Sequence, residues 1–260
     1  MVKVIAITNR KGGCGKSVTA LNLGVGLARH DKKILLIDTD NQHSLTISMG
    51  ITEPDKLSVT LSTVIADIIS KKEIDPKIGI IHHEEGIDLM PANDSLTGME
   101  LTLAPLMGRE IILRKYINKV KPLYDFVLLD TGPTLDVLTI NALAAADGIL
   151  IPVTPKFLDA KGLELLLKSI ANIREDINPN LSVYGILFTM TDNRTNLSKG
   201  IINVIKEAYG GEIRVFKDSI PHSVRAAEAS ATGKSIFTHD PTGRVAAAYY
   251  SLAEEVLGNG

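Results

Sequence analysis

The chain has little of what secreted, membrane-spanning and nucleic-acid-coating proteins depend on. Its 260 residues include a single cysteine, so no internal disulfide can form and a stapled secreted scaffold is excluded. It has no tryptophan and only five Phe and six Tyr, which leaves little for a base-stacking platform. The 28 Lys and Arg nearly balance 30 Asp and Glu, for a net charge of −2, which argues against a permanently basic coat for nucleic acid. No apolar run approaches the roughly 20 residues that span a bilayer. The N-terminal run stops at Thr8-Asn9-Arg10-Lys11, too early for a signal peptide, and 143–153 is broken by Asp147 and Gly148. Pro-rich, Ser-rich and low-complexity linkers are lacking as well. The expectation is one cytoplasmic globular domain over 1–260.

What the chain does have is alternation. Short Val-, Ile- and Leu-rich runs predict strands over 2–8, 33–38, 87–91, 126–130, 148–153, 183–189 and 212–216. Segments of helical period predict helices over 16–29, 108–120, 159–175, 196–208 and 243–257. Several strands are apolar on both faces, as strands between two helix layers should be. The predicted fold is α/β: a mainly parallel twisted sheet flanked by helices on both faces, with right-handed crossovers. Ligands of such sheets lie at the C-terminal ends of the strands.

The first loop of that kind carries chemistry. The strand over 2–8 runs into Asn9-Arg10-Lys11-Gly12-Gly13-Cys14-Gly15-Lys16-Ser17, and an amphipathic helix follows. Glycines let the backbone curl so that successive N–H groups converge on an anion, and the helix adds the positive end of its dipole. Lys16 is placed to reach outer phosphates, and the Ser17 hydroxyl to bind Mg²⁺. The generic pattern G-x-x-x-x-G-K-[ST] is not met, because Arg10 stands where its first Gly belongs. The loop reads K-G-G-x-G-K-S, with a further lysine, Lys11.

That loop resembles the deviant Walker A motif of the ParA/MinD family of ATPases. The resemblance continues in Asp38-Thr39-Asp40-Asn41-Gln42, similar to the family's D-x-D-P-Q, and in Phe126-Val127-Leu128-Leu129-Asp130, similar to its Walker B strand. The segments 189–196 and 220–221 are similar to the region that closes over adenine in relatives. Size and the short N-terminus look like the small chromosome-type, Soj-like branch. The resemblance implies a weak Mg-dependent ATPase with ATP and Mg²⁺ as ligands. It implies ATP contacts by Lys11, Gly12, Gly13, Cys14, Gly15, Lys16, Ser17, Val18, Thr191, Asp192 and Pro221, and a metal shell of Ser17, Asp38 and Asp130. Ser17 is the expected direct metal ligand, Asp130 holds a metal-bound water, and Asp38 supports the shell. Lys11, Lys16 and Asp40 carry the catalytic roles, Asp40 by orienting the attacking water. Lys11 has no evident task in its own subunit, where Lys16 already serves the outer phosphates. In the family this lysine crosses a dimer interface, so the implied active form is an ATP-bound homodimer. The implied partners are non-specific DNA and a ParB-like centromere-binding protein, not a membrane, and the implied place is the cytoplasm at the nucleoid.

Some positions depart from the pattern. Val18 replaces a hydroxyl residue, Asn41 replaces Pro, His43 replaces Gly, and Pro155-Lys156 falls where relatives carry an acid. Cys14 reads as a spacer whose thiol the helix start would make oxidisable. Charge is uneven: residues 194–244 carry +3 and the remainder −5. A modest basic face doubled by dimerisation suits salt-sensitive DNA binding, and Lys217 and Arg244 hold the implied positions. Two other readings stay in play. One is a MinD-like positioning ATPase, though the tail from 243 has one Arg against two Glu and lacks the cationic face that anionic lipid attracts. The other is a DNA-binding adaptor that holds nucleotide without hydrolysing it. An iron–sulfur relative would need several cysteines and is excluded.

Overall fold

A computed structural model describes residues 2–192 and 194–258. Met1, Asn193, Asn259 and Gly260, which fall inside segments read above, lie outside the described residues. In chain order the elements are β1 (Lys3–Ile7), α1 (Lys16–Ala28), β2 (Ile34–Asp38), α2 (Ser44–Ser48), α3 (Leu61–Ile69), β3 (Ile81–His83), β4 (Ile87–Met90), α4 (Ser95–Leu103) and α5 (Ile112–Val120). There follow β5 (Phe126–Asp130), α6 (Val137–Ala145), β6 (Gly148–Val153), α7 (Phe157–Asp176), β7 (Ser182–Phe188), α8 (Asn196–Tyr209), α9 (Val224–Ala231), α10 (Ile236–His239) and α11 (Arg244–Leu257).

The seven strands lie in the order β3-β4-β2-β5-β1-β6-β7. All neighbours are parallel except the edge hairpin β3–β4. The unbroken apolar runs are explained by what covers them. On β1, Val4 and Ala6 enter a core with α3, α5, α6 and α7, while Ile5 and Ile7 enter a second core with α1 and α11. On β2, Leu35 and Ile37 take the first face, and Ile34 and Leu36 the second. This is the two-residue period of a strand with both faces dry. Close approach on the second face needs glycine: a Cβ on Gly24 of α1 would meet the Leu36 side chain at 2.9 Å.

Register then does something that spacing along the chain cannot show. Asp130 pairs with Ile7 on β1 and with Asp38 on β2. The ends of β2, β5 and β1 are therefore level, and two carboxylates stand on adjacent strands beside the start of the Gly-rich loop.

The expected fold class stands. The expected strand over 212–216 does not form: Val215 makes only an isolated bridge to Ile186. The reason is the tight seat of Phe216 over Gly185, where a Cβ would lie 2.7 Å from its ring, together with a turn at 210–211 that shortens the approach. Helices α2, α3, α4, α6, α9 and α10 and the edge strand β3 were not foreseen. Helix α6 hides in the sequence because its apolar residues run almost directly into β6, and periodicity cannot divide such a run. No described helix is long and apolar enough to cross a membrane. The apolar face of α11, including Val245, Tyr249, Leu252 and Val256, is buried in the core with α1.

Candidate functional site

The loop after β1 is pinned before it curls. The Thr8 N–H donates to the Leu150 carbonyl at 3.1 Å, and Asn9 Nδ2 donates to the Pro152 carbonyl at 2.6 Å. The Lys11 N–H donates back to Asn9 Oδ1 at 3.1 Å. Gly13 and Gly15 take φ of +72° and +85°, the left-handed region that favours glycine. Gly15 caps α1 without a side chain, so the N–H groups of the first turn have no cap to bond. A Cβ on Gly12 or Gly13 would meet nothing within 4 Å, because both face an open cleft of about 360 Å³. Lys16, Ser17, Val18, Asp40 and Pro133 line the same cleft. From the far side, Thr189 Oγ1 donates to the Cys14 carbonyl at 2.8 Å and ties the end of β7 to the loop.

At the floor, Asp38 and Asp130 are fully buried. Asp38 is satisfied: Oδ2 accepts from the Thr46 N–H at 2.8 Å and from its hydroxyl at 2.7 Å, and Oδ1 accepts from the Asp40 N–H at 3.1 Å. Burial nonetheless pushes its carboxyl up to about 6. Asp130 has no hydrogen-bond partner on either oxygen. Burial, with the Asp38 charge adding to it, holds its carboxyl well above the ordinary range. The nearby Ser17 hydroxyl and the Lys16 ammonium pull the other way. A buried carboxylate with two unused oxygens beside a serine hydroxyl is an all-oxygen donor set that fits Mg²⁺, which takes few protein ligands and keeps its waters. Among the described residues no cluster of three or more His, Cys, Asp or Glu could cage a metal. The fit is thus to a cation shared with a phosphate ligand. Asp38, both oxygens taken, orders the turn to α2 that carries Asp40.

Asp40 sits where the resemblance implied, in the cleft wall and almost buried. Its Oδ1 accepts from the Gln42 N–H at 3.0 Å, and a Cβ on Gly132 would stand 3.2 Å from the same oxygen. His43 has φ +41°, in the left-handed region, which makes histidine a strained choice there.

Two expectations are corrected. Lys11 does have a partner in its own subunit: its ammonium bonds Asp159 Oδ1, and Thr154 Oγ1 donates to Asp159 Oδ2. The Asp159 carboxylate is fully buried, whereas the Lys11 side chain is 41% exposed. Asp159 was missed because it lies 148 residues along the chain, in the first turn of α7. Cys14 is not an oxidisable thiol. It is 1% exposed, directs Sγ at the Lys11 carbonyl at 3.3 Å, and burial raises its thiol above the usual value despite Lys16.

Beside the cleft is a smaller apolar cavity of about 150 Å³, lined by Val18, Met190, Ile220, Pro221 and Ala226 among others. Of the three residues expected to meet adenine, only Pro221 lines it. Thr191 is buried as a brace, its N–H donating to the Ile220 carbonyl at 3.1 Å and its hydroxyl 3.1 Å from Ser219 Oγ. Asp192 turns outward to Arg194, with Nε and Nη2 each 2.9 Å from it, and that guanidinium lowers its carboxyl to about 2. Met190 and Ile220 lie in the two segments expected there but were not singled out, because nothing in their type signals a ligand. Elsewhere Lys217 shares a cleft of about 200 Å³ with Lys199 and Lys206. Arg244, exposed at the start of α11, does not line it.

A glycine cradle, a lysine in its curl and a carboxylate at the end of a neighbouring buried strand define a phosphate-loop nucleoside-triphosphatase-type protein. A family model described as AAA domain matches residues 2–183. The sporulation initiation inhibitor protein Soj of Bacillus subtilis is 38% identical, with 100% of each chain covered. The chromosome-partitioning ATPase Soj of Thermus thermophilus is 38% identical over 98% of this chain and 96% of its own. A Mycobacterium smegmatis cobyrinic acid a,c-diamide synthase with bound ADP and magnesium is 31% identical and superposes with a TM-score of 0.85, covering 99% of this chain and 94% of that one. The chain belongs to the AAA-domain ATPases, and within them to the Soj/ParA family of partition ATPases.

Proposed function

We propose that this protein is a DNA-partition ATPase that binds ATP with Mg²⁺, pairs with a second copy in that state, and holds DNA non-specifically until hydrolysis resets it. The observation that carries the reading is Asp130: a fully buried carboxylate with both oxygens unpaired, at the mouth of a glycine cradle. Full-length similarity to two Soj proteins supplies the partition role. Relatives of known structure that hold ADP or an ATP analogue with magnesium support the ligands.

In this reading the loop N–H groups over 12–18 and the Lys16 ammonium hold the phosphates, and Ser17 with Asp130 holds the metal side. Bound Mg²⁺ supplies charge neutralisation across the outer phosphate oxygens. Asp40, fixed by the Gln42 N–H and crowded by Gly132, orients the attacking water. Lys11 completes the charge of a partner's site once it leaves Asp159, which makes the lone subunit a slow hydrolase. A ParB-like centromere-binding protein is the expected stimulator. Domain unity over 1–260 belongs to the same reading.

Lys199, Lys206 and Lys217 around one cleft support DNA contact by phosphate, and exposed Arg244 is tested beside them. Doubling three lysines in a dimer gives about six phosphate contacts, hence a roughly 10³-fold loss of affinity between 50 and 200 mM salt. Burial of the α11 apolar face speaks against a membrane-positioning role. A gel shift with random-sequence DNA, run without nucleotide, with ADP and with ATP across salt, tests the reading. Retardation with ATP alone is expected, and equal retardation in all three states would overturn it. Phosphate release separates the non-hydrolysing adaptor, which would show none.

A further inference from the structure

The Gly-rich cleft occupies the C-terminal ends of the strands, where parallel sheets hold their ligands. A second cavity opens at the other end of the sheet. The starts of β2, β4 and β5 and the loop before β3 surround it. Its volume is about 420 Å³, against about 360 Å³ for the cleft. No role assigned above reaches this end of the molecule.

The cavity has a charged side and an apolar one. Lys33, Lys77 and His82 line it. Among the described residues the ion-paired lysines are Lys11, Lys56, Lys72 and Lys168, so the ammonium groups of Lys33 and Lys77 are uncompensated. Asp88, the carboxylate in the wall, is already occupied. Its Oδ1 lies 2.7 Å from His82 Nδ1, and its Oδ2 accepts from the Tyr124 hydroxyl at 2.7 Å. Ile34, Pro122, Leu123 and the Tyr124 ring supply the apolar wall.

The framework is fixed before any ligand arrives. The Lys33 N–H donates to Asp125 Oδ2 at 2.8 Å, and its carbonyl accepts from the Asp125 and Phe126 N–H groups at 2.8 and 3.2 Å. The Lys77 N–H donates to Asp75 Oδ1 at 2.9 Å, and its carbonyl accepts from the Ile80 N–H at 3.2 Å. Register sets Asp88 between His82 on β3 and Leu35 on β2, with buried Ile87 and Leu89 on either side of it along β4. A carboxylate in so apolar a strand is there to hold His82 and Tyr124 in the cavity wall. Preformed walls, mostly apolar with a few placed polar groups, are the mark of small-molecule sites.

We propose that this rear cavity is a second ligand site, for a small organic phosphate. The dianionic head lies among Lys33, Lys77 and His82, and the organic part packs on Pro122, Leu123 and the Tyr124 ring. Lysine binds phosphate as a point charge, and protonated His82 offers Nε2–H while Nδ1 stays on Asp88. Bare phosphate would leave the apolar wall unused. None of these residues lines the Gly-rich cleft, so the site is separate from the nucleotide's.

The test is an amide-resolved NMR titration of the full chain with phenyl phosphate, with Mg²⁺ and saturating ADP present to fill the Gly-rich cleft. Shifts are expected at 33–34, 77, 82, 86 and 123–124. The Lys33→Ala/Lys77→Ala double variant should weaken the probe at least about tenfold; both side chains are exposed, so the fold should hold. Inorganic phosphate, which lacks the organic part, and benzoate, which carries less charge, should each bind several-fold more weakly. Shifts confined to 12–17, no shifts at the rear residues, or unchanged affinity in the double variant would overturn the site. Equal binding of inorganic phosphate would overturn the role of the apolar wall, and equal binding of benzoate the choice of phosphate.

Discussion

Replacing Asp130 with Asn should make the empty protein more stable and its ligand-bound form poorer. Asp130 and Asp38 are paired across adjacent strands, both fully buried, with their carboxyls raised by burial. A carboxyl raised on folding contributes stability that is fully present below its ordinary value and is lost as pH climbs through the folded value. For Asp38 that window runs from 3.8 to about 6, worth about 3 kcal/mol, and Asp130 adds to it with the same sign. Asn has the shape of the neutral acid, leaves a similar unpaired polar group, and never ionises. Asp130→Asn should therefore match the parent at pH values below the ordinary carboxyl value of 3.8 and melt above it at pH 8, by the ionisation cost of Asp130 alone, since Asp38 keeps its own. The assay is a thermal melt by circular dichroism across pH in EDTA, repeated with ATP and Mg²⁺. With ligand the parent should gain and the variant should gain much less, because the carboxylate that holds the metal side is gone. A variant that melts below the parent at pH 8 in EDTA, or a difference independent of pH, would refute the reasoning.

The Lys11–Asp159 pair predicts an asymmetry. Lys11→Ala leaves a buried carboxylate without its cation and should cost about 2 kcal/mol, reduced from a fully buried pair because Lys11 is 41% exposed. Asp159→Asn leaves only a half-exposed ammonium and should cost under about 1 kcal/mol. Urea melts of both and of the double variant check this, and equal losses in the two single variants would count against it. Gly132→Ala places a Cβ 3.2 Å from Asp40 Oδ1. Phosphate release should fall about tenfold while ATP affinity holds, and normal turnover would remove Asp40 from the water-orienting role.

The parts of the site that were legible in the sequence are those set by local backbone needs. Gly13 and Gly15 announce themselves because only glycine suits φ of +72° and +85°, and Lys16 and Ser17 follow at the start of α1. Asp38, Asp40 and Asp130 were readable as acids at the ends of apolar runs. Strands β1, β2, β5 and β6 were readable because burial on both faces leaves unbroken hydrophobic text. Helix α6 was not, because it shares that text with β6, and 212–216 looked like a strand because β-type residues there pack on β7 without laddering along it.

Composition and order along the chain thus determined an α/β sheet, a phosphate-binding loop and the types of its charged residues, since each depends on neighbours a few positions away. Only the tertiary structure decided which of these groups are paired. The register of β2, β5 and β1 puts Asp38 beside Asp130 and leaves Asp130 without a hydrogen-bond partner. The packing of α7 gives Lys11 its partner in Asp159. Those facts arise from contacts between segments distant along the chain, and desolvation, which sets the strength of every charge in the site, exists only once the layers have closed.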